Sequence, residues 1–538
     1  MAGRSGLVRV TRGRRPGVVE LRCPTVDEGP RDVRERDSQD RGTSRAGAMS
    51  GELQRVELAE DGPGLTERDE AATAHSAPHG RRGLVRLGVG AVVVVAGLVV
   101  GQAVIDARER AAVAALREVP GVLAPVGDAL SVAYELPQEV QWLEPAQDGH
   151  RLLLVANGDD EAPHLQAMDS DTGEVLWDVR VAEPTNQDGA TGVSCGLGRI
   201  ADERAVVACL DTDAITVWGD EGEEVRREAT YARVVVHAQD DGALVGAFDV
   251  DTRVEEIAML DGIVAAVSRE RGEMLTAYDA VTGQVRWRVP APDTATEAEA
   301  GYFRAWMSAV GGVLAVSSTT DETLFVTADG SALPVERARG WVSPKRGVLA
   351  ISLPNDADGS RTLIVRDGVV GPEIRGEALI AGVDDGSLGD VVLTTAGGLS
   401  AWDAESGERR WSLDADEPVA TYYSALVLRG SVYATGPSTS AAFDGRTGRV
   451  LWTRESAGEE SYGGDMVTDG ERLYVVGMID VLGDEHSSVP VVDALSFGGE
   501  ALGRVGLPQG IEWLSPAGGR LLGSHVTETG RGSVVVLR

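Results

Sequence analysis

The chain is 538 residues long and strongly acidic, with 85 Asp and Glu against 50 Lys and Arg and a formal net charge of −35. Such a balance excludes nucleic acid and other polyanions as partners, because proteins hold those through clustered cations. It suits solubility or a cationic partner.

In chain order, residues 1–80 combine Arg, Glu, Asp, Gly and Ser with few large apolar side chains, and are expected to form a disordered cytoplasmic tail. The arginines at Arg12, Arg14 and Arg15 lack the interleaved aromatics and folded scaffold of a nucleic-acid site. Met49 offers a second start that would leave residues 1–48 untranslated. From Leu87 to Ile105 nineteen residues run without a charge. At 1.5 Å per residue that is roughly 28 Å, about one bilayer core. A transmembrane helix is therefore expected over 84–106. Arg81, Arg82 and Arg86 put its N-terminal side in the cytoplasm. A cleaved signal peptide fits less well, since some eighty residues precede the segment. Gly97 and Gly101 have the spacing of a helix-pairing motif, which unpaired membrane helices also carry. Residues 107–120 are good helix sequence stopped at Pro120-Gly121, and are expected to form a short stalk.

Beyond the stalk one phrase recurs: Asp, two residues, Thr or Ser, Gly, three residues, Trp. The copies are Asp169-Ser-Asp-Thr172-Gly173-Glu-Val-Leu-Trp177, Asp279-Ala-Val-Thr282-Gly283-Gln-Val-Arg-Trp287, Asp403-Ala-Glu-Ser406-Gly407-Glu-Arg-Arg-Trp411 and Asp444-Gly-Arg-Thr447-Gly448-Arg-Val-Leu-Trp452. Each reads as strand, tight turn, strand. The Gly accepts a positive φ, and the Asp carboxylate can accept backbone N–H groups of the turn. A large flat side chain at one place on every copy is what stacked sheets need at their contacts. These residues are therefore read as structural turn and contact groups and not as catalytic ones.

The pattern resembles the repeat of the quinoprotein-type, or PQQ-like, β-propellers, whose blades carry A-x-D-x-x-T-G-x-x-x-W. Ala167, Ala277, Ala401 and Ala442 supply the leading Ala. The resemblance implies an all-β propeller of four-stranded antiparallel blades over 128–538. It also implies that Trp177, Trp287, Trp411 and Trp452 dock one blade on the next.

The last two Trp are 41 residues apart, about one blade. Degenerate blades are expected in the longer gaps. Val206–Cys209 with Ile215–Trp218 is one, and 313–330 and 348–368 are two more. Another follows Trp452. Tyr231–Asp261 is either an insertion or a partial blade. The count runs from eight to nine, and eight is expected because propellers commonly have four to eight blades. Glu512-Trp513-Leu-Ser-Pro516 echoes Gln141-Trp142-Leu-Glu-Pro145. The final strand Ser533–Leu537 lacks a partner that Leu130–Tyr134 can supply, which would close the ring.

Cys195 and Cys209 flank Gly198–Arg204 symmetrically on the exported side, so a hairpin would set them opposite each other as a disulfide; two separately buried thiols are the alternative. The alcohol-oxidising quinoproteins carry adjacent cysteines, a calcium held by Glu and Asn, and a catalytic Asp. No two cysteines are adjacent here. The His residues show no ligand spacing. Asn355-Asp-Ala-Asp358-Gly359 lacks the Glu of a calcium loop, and Asp484-Glu485-His486 reads as a solvated loop. No catalytic, cofactor or metal residue is assigned. The expectation is a single-pass envelope protein whose extracytoplasmic propeller binds a protein or envelope ligand. A PQQ-dependent dehydrogenase or a propeller glycosidase is the alternative.

Overall fold

The computed structural model describes residues 101–538, apart from 138–139, 147–148, 184–192, 219–223, 228, 269–273, 291–305, 318–322, 336–337, 339, 346, 357–358, 396–397, 414–423, 437–438, 456–460, 481–487 and 527–531. The chain divides into two units, Met1–Gly83 and Leu84–Arg538. The expected tail and most of the expected membrane helix lie outside the described residues, as do Asp484–His486. Residues 101–117 are helical. Among the described residues no helix is long and apolar enough to cross a membrane.

The rest is β-structure in nine consecutive blades, one more than the eight expected. Blade 1 is Trp142–Pro145, Arg151–Asn157, Pro163–Asp169 and Val175–Arg180. Blade 2 is Cys195–Arg199, Ala205–Thr212, Ala232–Ala238 and Leu244–Asp249, and blade 3 spans Val254 to Pro290. Blade 4, from Trp306 to Thr327, has three strands, and blade 5 spans Gly340 to Arg375. Blade 6 runs from Glu377 to Ser412, blade 7 from Ser424 to Glu455, and blade 8 from Ser461 to Arg504. Blade 9 joins Ile511–Ala517, Arg520–Val526 and Gly532–Leu537 to Val132–Glu135, which comes from the other end of the chain. Trp142 and Trp513 both lie in the first strands of their blades.

Eight was expected from the usual range of propeller sizes, and within blade 2 one strand was also assigned to the wrong place. Ile215–Trp218 is not a blade strand; it pairs with Glu224–Arg227 as a separate hairpin. The outer half of blade 2 comes instead from 232–249, within the stretch left open as an insertion. Alternation of apolar residues marks a strand without saying which strand it pairs with. A second departure is Ala381–Asp384, which leaves blade 6 and runs parallel to Ser424–Leu428 of blade 7.

First strands of neighbouring blades lie side by side: Val254–Leu260 meets both Cys195–Arg199 and Trp306–Val310. Middle strands read as unbroken apolar runs because both faces are covered; Leu152 to Ala156 are 0% exposed. Each of the nine seams has its own buried apolar cluster, for instance Leu152 and Met168 with Leu522 and Val536 where blade 9 meets blade 1. The core is thus a ring of interfaces rather than one interior.

Candidate functional site: the blade seams

The four repeat turns are built alike. In the first, Asp169 Oδ1 accepts the N–H groups of Asp171 (3.0 Å) and Thr172 (2.8 Å) and the Thr172 hydroxyl (2.9 Å). Asp279 does the same for Val281 and Thr282, Asp403 for Glu405 and Ser406, and Asp444 for Arg446 and Thr447. Gly173, Gly283, Gly407 and Gly448 sit at φ of 73°, 68°, 72° and 71°. Each N–H returns to the carbonyl of its Asp. The carboxylates of Asp279, Asp403 and Asp444 are correspondingly acidic. Burial alone would raise Asp279, but Arg286 and the bonds from Thr282 and Val281 outweigh it and hold it at about 2. The Ser406 N–H and then Arg410 keep Asp403 well below the usual range. For Asp444 the Thr447 hydroxyl and N–H do so.

Across the hairpin each Trp faces the leading Ala: Ala167 with Trp177, Ala277 with Trp287, Ala401 with Trp411 and Ala442 with Trp452. All four Ala are 0% exposed. A bulge follows each pair at the same step, and a bulge re-aims the side chain beside it.

Each Trp reaches the next blade. Nε1 of Trp177 donates to the Gln239 carbonyl at 3.2 Å, and Trp287 to Ala328 at 2.8 Å. Trp411 donates to Gly445 and Trp452 to Phe497, both at 2.9 Å. The indole faces lie on positive-φ glycines: Gly242, Gly330, Gly448 and Gly499. A methyl group at Gly448 would stand 2.7 Å from Trp411 Cδ2. Glycine is required there twice over, by φ and by the ring.

Four further seams follow this rule without a Trp, and sequence reading missed them. Tyr134 of blade 9 lies on Gly173, and its hydroxyl donates to the Ser170 carbonyl at 3.0 Å. Burial pushes that hydroxyl up to about 12. Phe248 lies on Gly283 and Pro372 on Gly407. Among the described residues blade 4 has no fourth strand, and Thr327 of its third strand meets Gly368. The only common signal is a turn glycine.

The ninth seam, between blades 8 and 9, cannot follow the rule because the chain ends stand where the turn would be. Residues 123–130 fill it. Leu123 and Leu130, 2% and 6% exposed, pack in its apolar cluster, while Leu116 and Val122 pack in the cluster between blades 7 and 8. Leu123 N–H donates to Thr468 O at 2.7 Å, Ala124 to Gly519 O at 2.9 Å and Leu130 to Gly506 O at 2.7 Å. The expected stalk is thus partly a structural member of the ring.

Cys195 and Cys209 are directly opposite in blade 2 and form a disulfide, with Cα atoms 4.2 Å apart. His164 lies between two carboxylates, Nδ1 at 2.5 Å from Asp178 and Nε2 at 3.1 Å from Asp160. Among the described residues no group of three His, Cys, Asp or Glu side chains is placed to hold a metal ion.

A family profile described as outer membrane protein assembly factor BamB, of the PQQ-like repeat class, matches residues 344–496. Residues 344–496 of this β-propeller thus carry PQQ-like repeats. No curated protein matches its sequence. The propeller is similar to the crystal structure of BamB from Moraxella catarrhalis, at 12% identity and a TM-score of 0.35, over 76% of this chain and 100% of that one. A europium-containing methanol dehydrogenase is similar at 11% identity and a TM-score of 0.31, over 65% and 85%. The C-terminal WD40 domain of Sif2 is similar at 10% identity and 0.36, over 77% and 99%. Likeness at this level says nothing of activity.

Proposed function

We propose that the propeller is a non-catalytic protein-binding scaffold, held outside the cytoplasmic membrane by one helix at its N-terminal end. The observation that carries the binding part is on the outermost strands. These strands have an unpaired edge, and several expose aliphatic side chains there: Val175 and Leu176 in blade 1, Val450 and Leu451 in blade 7, and Leu502 in blade 8, each 39–50% exposed. An open edge with apolar side chains suits addition of a partner's strand. The profile's namesake is an assembly factor, which favours a protein over a small molecule as partner. Anchoring is supported by residues 101–111, which are exposed although they include Val104 and Ile105.

Affinity capture from envelope extract with the full chain tests the reading. One partner in stoichiometric yield, lost on Leu176→Glu or Leu451→Glu with unfolding unchanged, is the expected result. Capture that both variants leave intact would remove the edge strands from the account. Carbonate extraction and protease protection of membranes test the anchor; release of the chain by carbonate would refute it.

A further inference from the structure

The residue two places beyond each docking Trp points into the same seam, because alternate residues of a strand share a face. In blades 1, 3 and 6 it is Val179, Val289 or Leu413, and each packs into the apolar cluster of its seam. In blade 7 it is Arg454, and blade 8 opposite it presents only the small Ala501, with Gly503 beyond it. The seam between blades 7 and 8 therefore stays open as a cavity of ≈ 370 Å³. That lies in the range of small-molecule sites.

The cavity combines an apolar floor, from Val475 and Leu495, with one uncommitted cation. Among the described residues no hydrogen bond or ion pair reaches the Arg454 guanidinium. The second arginine, Arg504, is held by Asp493, with Nε at 2.9 Å and Nη2 at 3.3 Å. That pair neutralises one of the two carboxylates of the lining. Glu455, which also borders the cavity, belongs by strand alternation to the opposite face of its sheet. A half-buried guanidinium facing small apolar residues, in a protein with so large an excess of acids, calls for an anion. Its planar fork matches a carboxylate.

We propose that this seam is a binding site for an aliphatic carboxylate. Arg454 takes the carboxylate, and Val475, Leu495 and Ala501 receive the stem. The site is independent of membrane anchoring, and it uses the seam-facing side chains of the outer strands Val450–Glu455 and Ala501–Arg504, on which Leu451 and Leu502 alternate to the other face.

Saturation-transfer NMR on the full chain tests it, with 4-methylpentanoate as probe and 4-methylpentanamide as the neutral isostere. The carboxylate is expected to bind about tenfold or more tightly than the amide, the usual advantage of a charge-assisted pair. Arg454→Leu, which restores the residue type of the other seams, should abolish binding while unfolding stays as in the parent. Arg454→Lys should retain part of it. Ala501→Leu fills the cavity from the other blade with Arg454 intact and should also exclude the probe, so misfolding of one variant does not decide the matter. Equal binding of acid and amide, undiminished binding in Arg454→Leu or Ala501→Leu, or no transfer to the acid at millimolar concentration would each overturn the proposal.

Discussion

Replacing Gly448 by Ala tests whether an aromatic ring seated on a left-handed glycine holds neighbouring blades together. Two costs arise. At φ +71° a Cβ costs about 1–2 kcal/mol on backbone grounds alone. The new methyl would also stand 2.7 Å from Trp411 Cδ2 and 2.8 Å from Cε3 and Cγ. Trp411 cannot easily yield, since it is 8% exposed and its Nε1 is bonded to Gly445 O. Overpacking of this kind costs about 1–3 kcal/mol, for a total of about 2–5 kcal/mol. Gly430 is the control, with φ +76° and nothing within 4 Å of its would-be Cβ. Gly430→Ala should show only the backbone cost, about 1–2 kcal/mol. Trp411→Ala should cost about 3–5 kcal/mol by itself. In that background Gly448→Ala should again cost only the backbone part, giving a coupling of about 1–3 kcal/mol. Urea unfolding followed by circular dichroism measures all four, with the slope m required to stay constant. Equal costs at Gly448 and Gly430, or simple additivity of Gly448→Ala with Trp411→Ala, would refute the reasoning.

Three other outcomes are expected. Reducing Cys195–Cys209, which closes a loop of sequence separation 14, should lower stability by about 3 kcal/mol; a reductant should do nothing further to a Cys195→Ser/Cys209→Ser double variant. Asp279 is held at about 2 in the folded state, below its unfolded value near 4. Its contribution is therefore complete above about pH 4 and disappears as pH falls through about 2. Asp279→Asn should flatten the loss of stability across that window, read as unfolding midpoint against pH. Finally, Lys345 is paired with Asp384 at 3.4 Å, the side chains being 11% and 17% exposed, and it also donates to the Leu388 carbonyl. Lys345→Met should cost about 3 kcal/mol by stranding the carboxylate, and adding Asp384→Asn should recover much of it in the same unfolding assay.

What could be read from the sequence was what repeats. The Asp–Thr/Ser–Gly–Trp phrase carries its turn chemistry within nine residues, so the turn from Asp169 to Trp177 follows from those residues alone. Closure through Leu130–Tyr134 was legible as well, because Ser533–Leu537 lacked a partner. Seams served by Tyr134, Phe248, Pro372 or Thr327 were not. Their contact is a shape relation between a side chain and a glycine many residues away, and several side chains satisfy it. Strand assignment within blade 2 failed at 205–249 for a related reason, since Ile215–Trp218 has strand character but pairs with Glu224–Arg227 in a separate hairpin; the expected eight blades reflected only the usual range of propeller sizes. Arg454 passed unnoticed because its meaning depends on what the other seams place there and on how small Ala501 and Gly503 are. A cavity is a property of two facing surfaces, and one strand's sequence describes only one of them.

The closing of blade 9 also sets a clock. Ser131 and Arg538 exchange backbone hydrogen bonds although they lie 407 positions apart. At about 5–20 residues per second of synthesis, Val132–Glu135 waits roughly 20–80 s for its partner strand. Throughout that interval the nascent protein is an open arc with a raw edge at each end. Residues 532–537 are the ones that turn the open arc into a closed ring. Quality control that arrives before the final strand therefore meets a different object from the one that leaves.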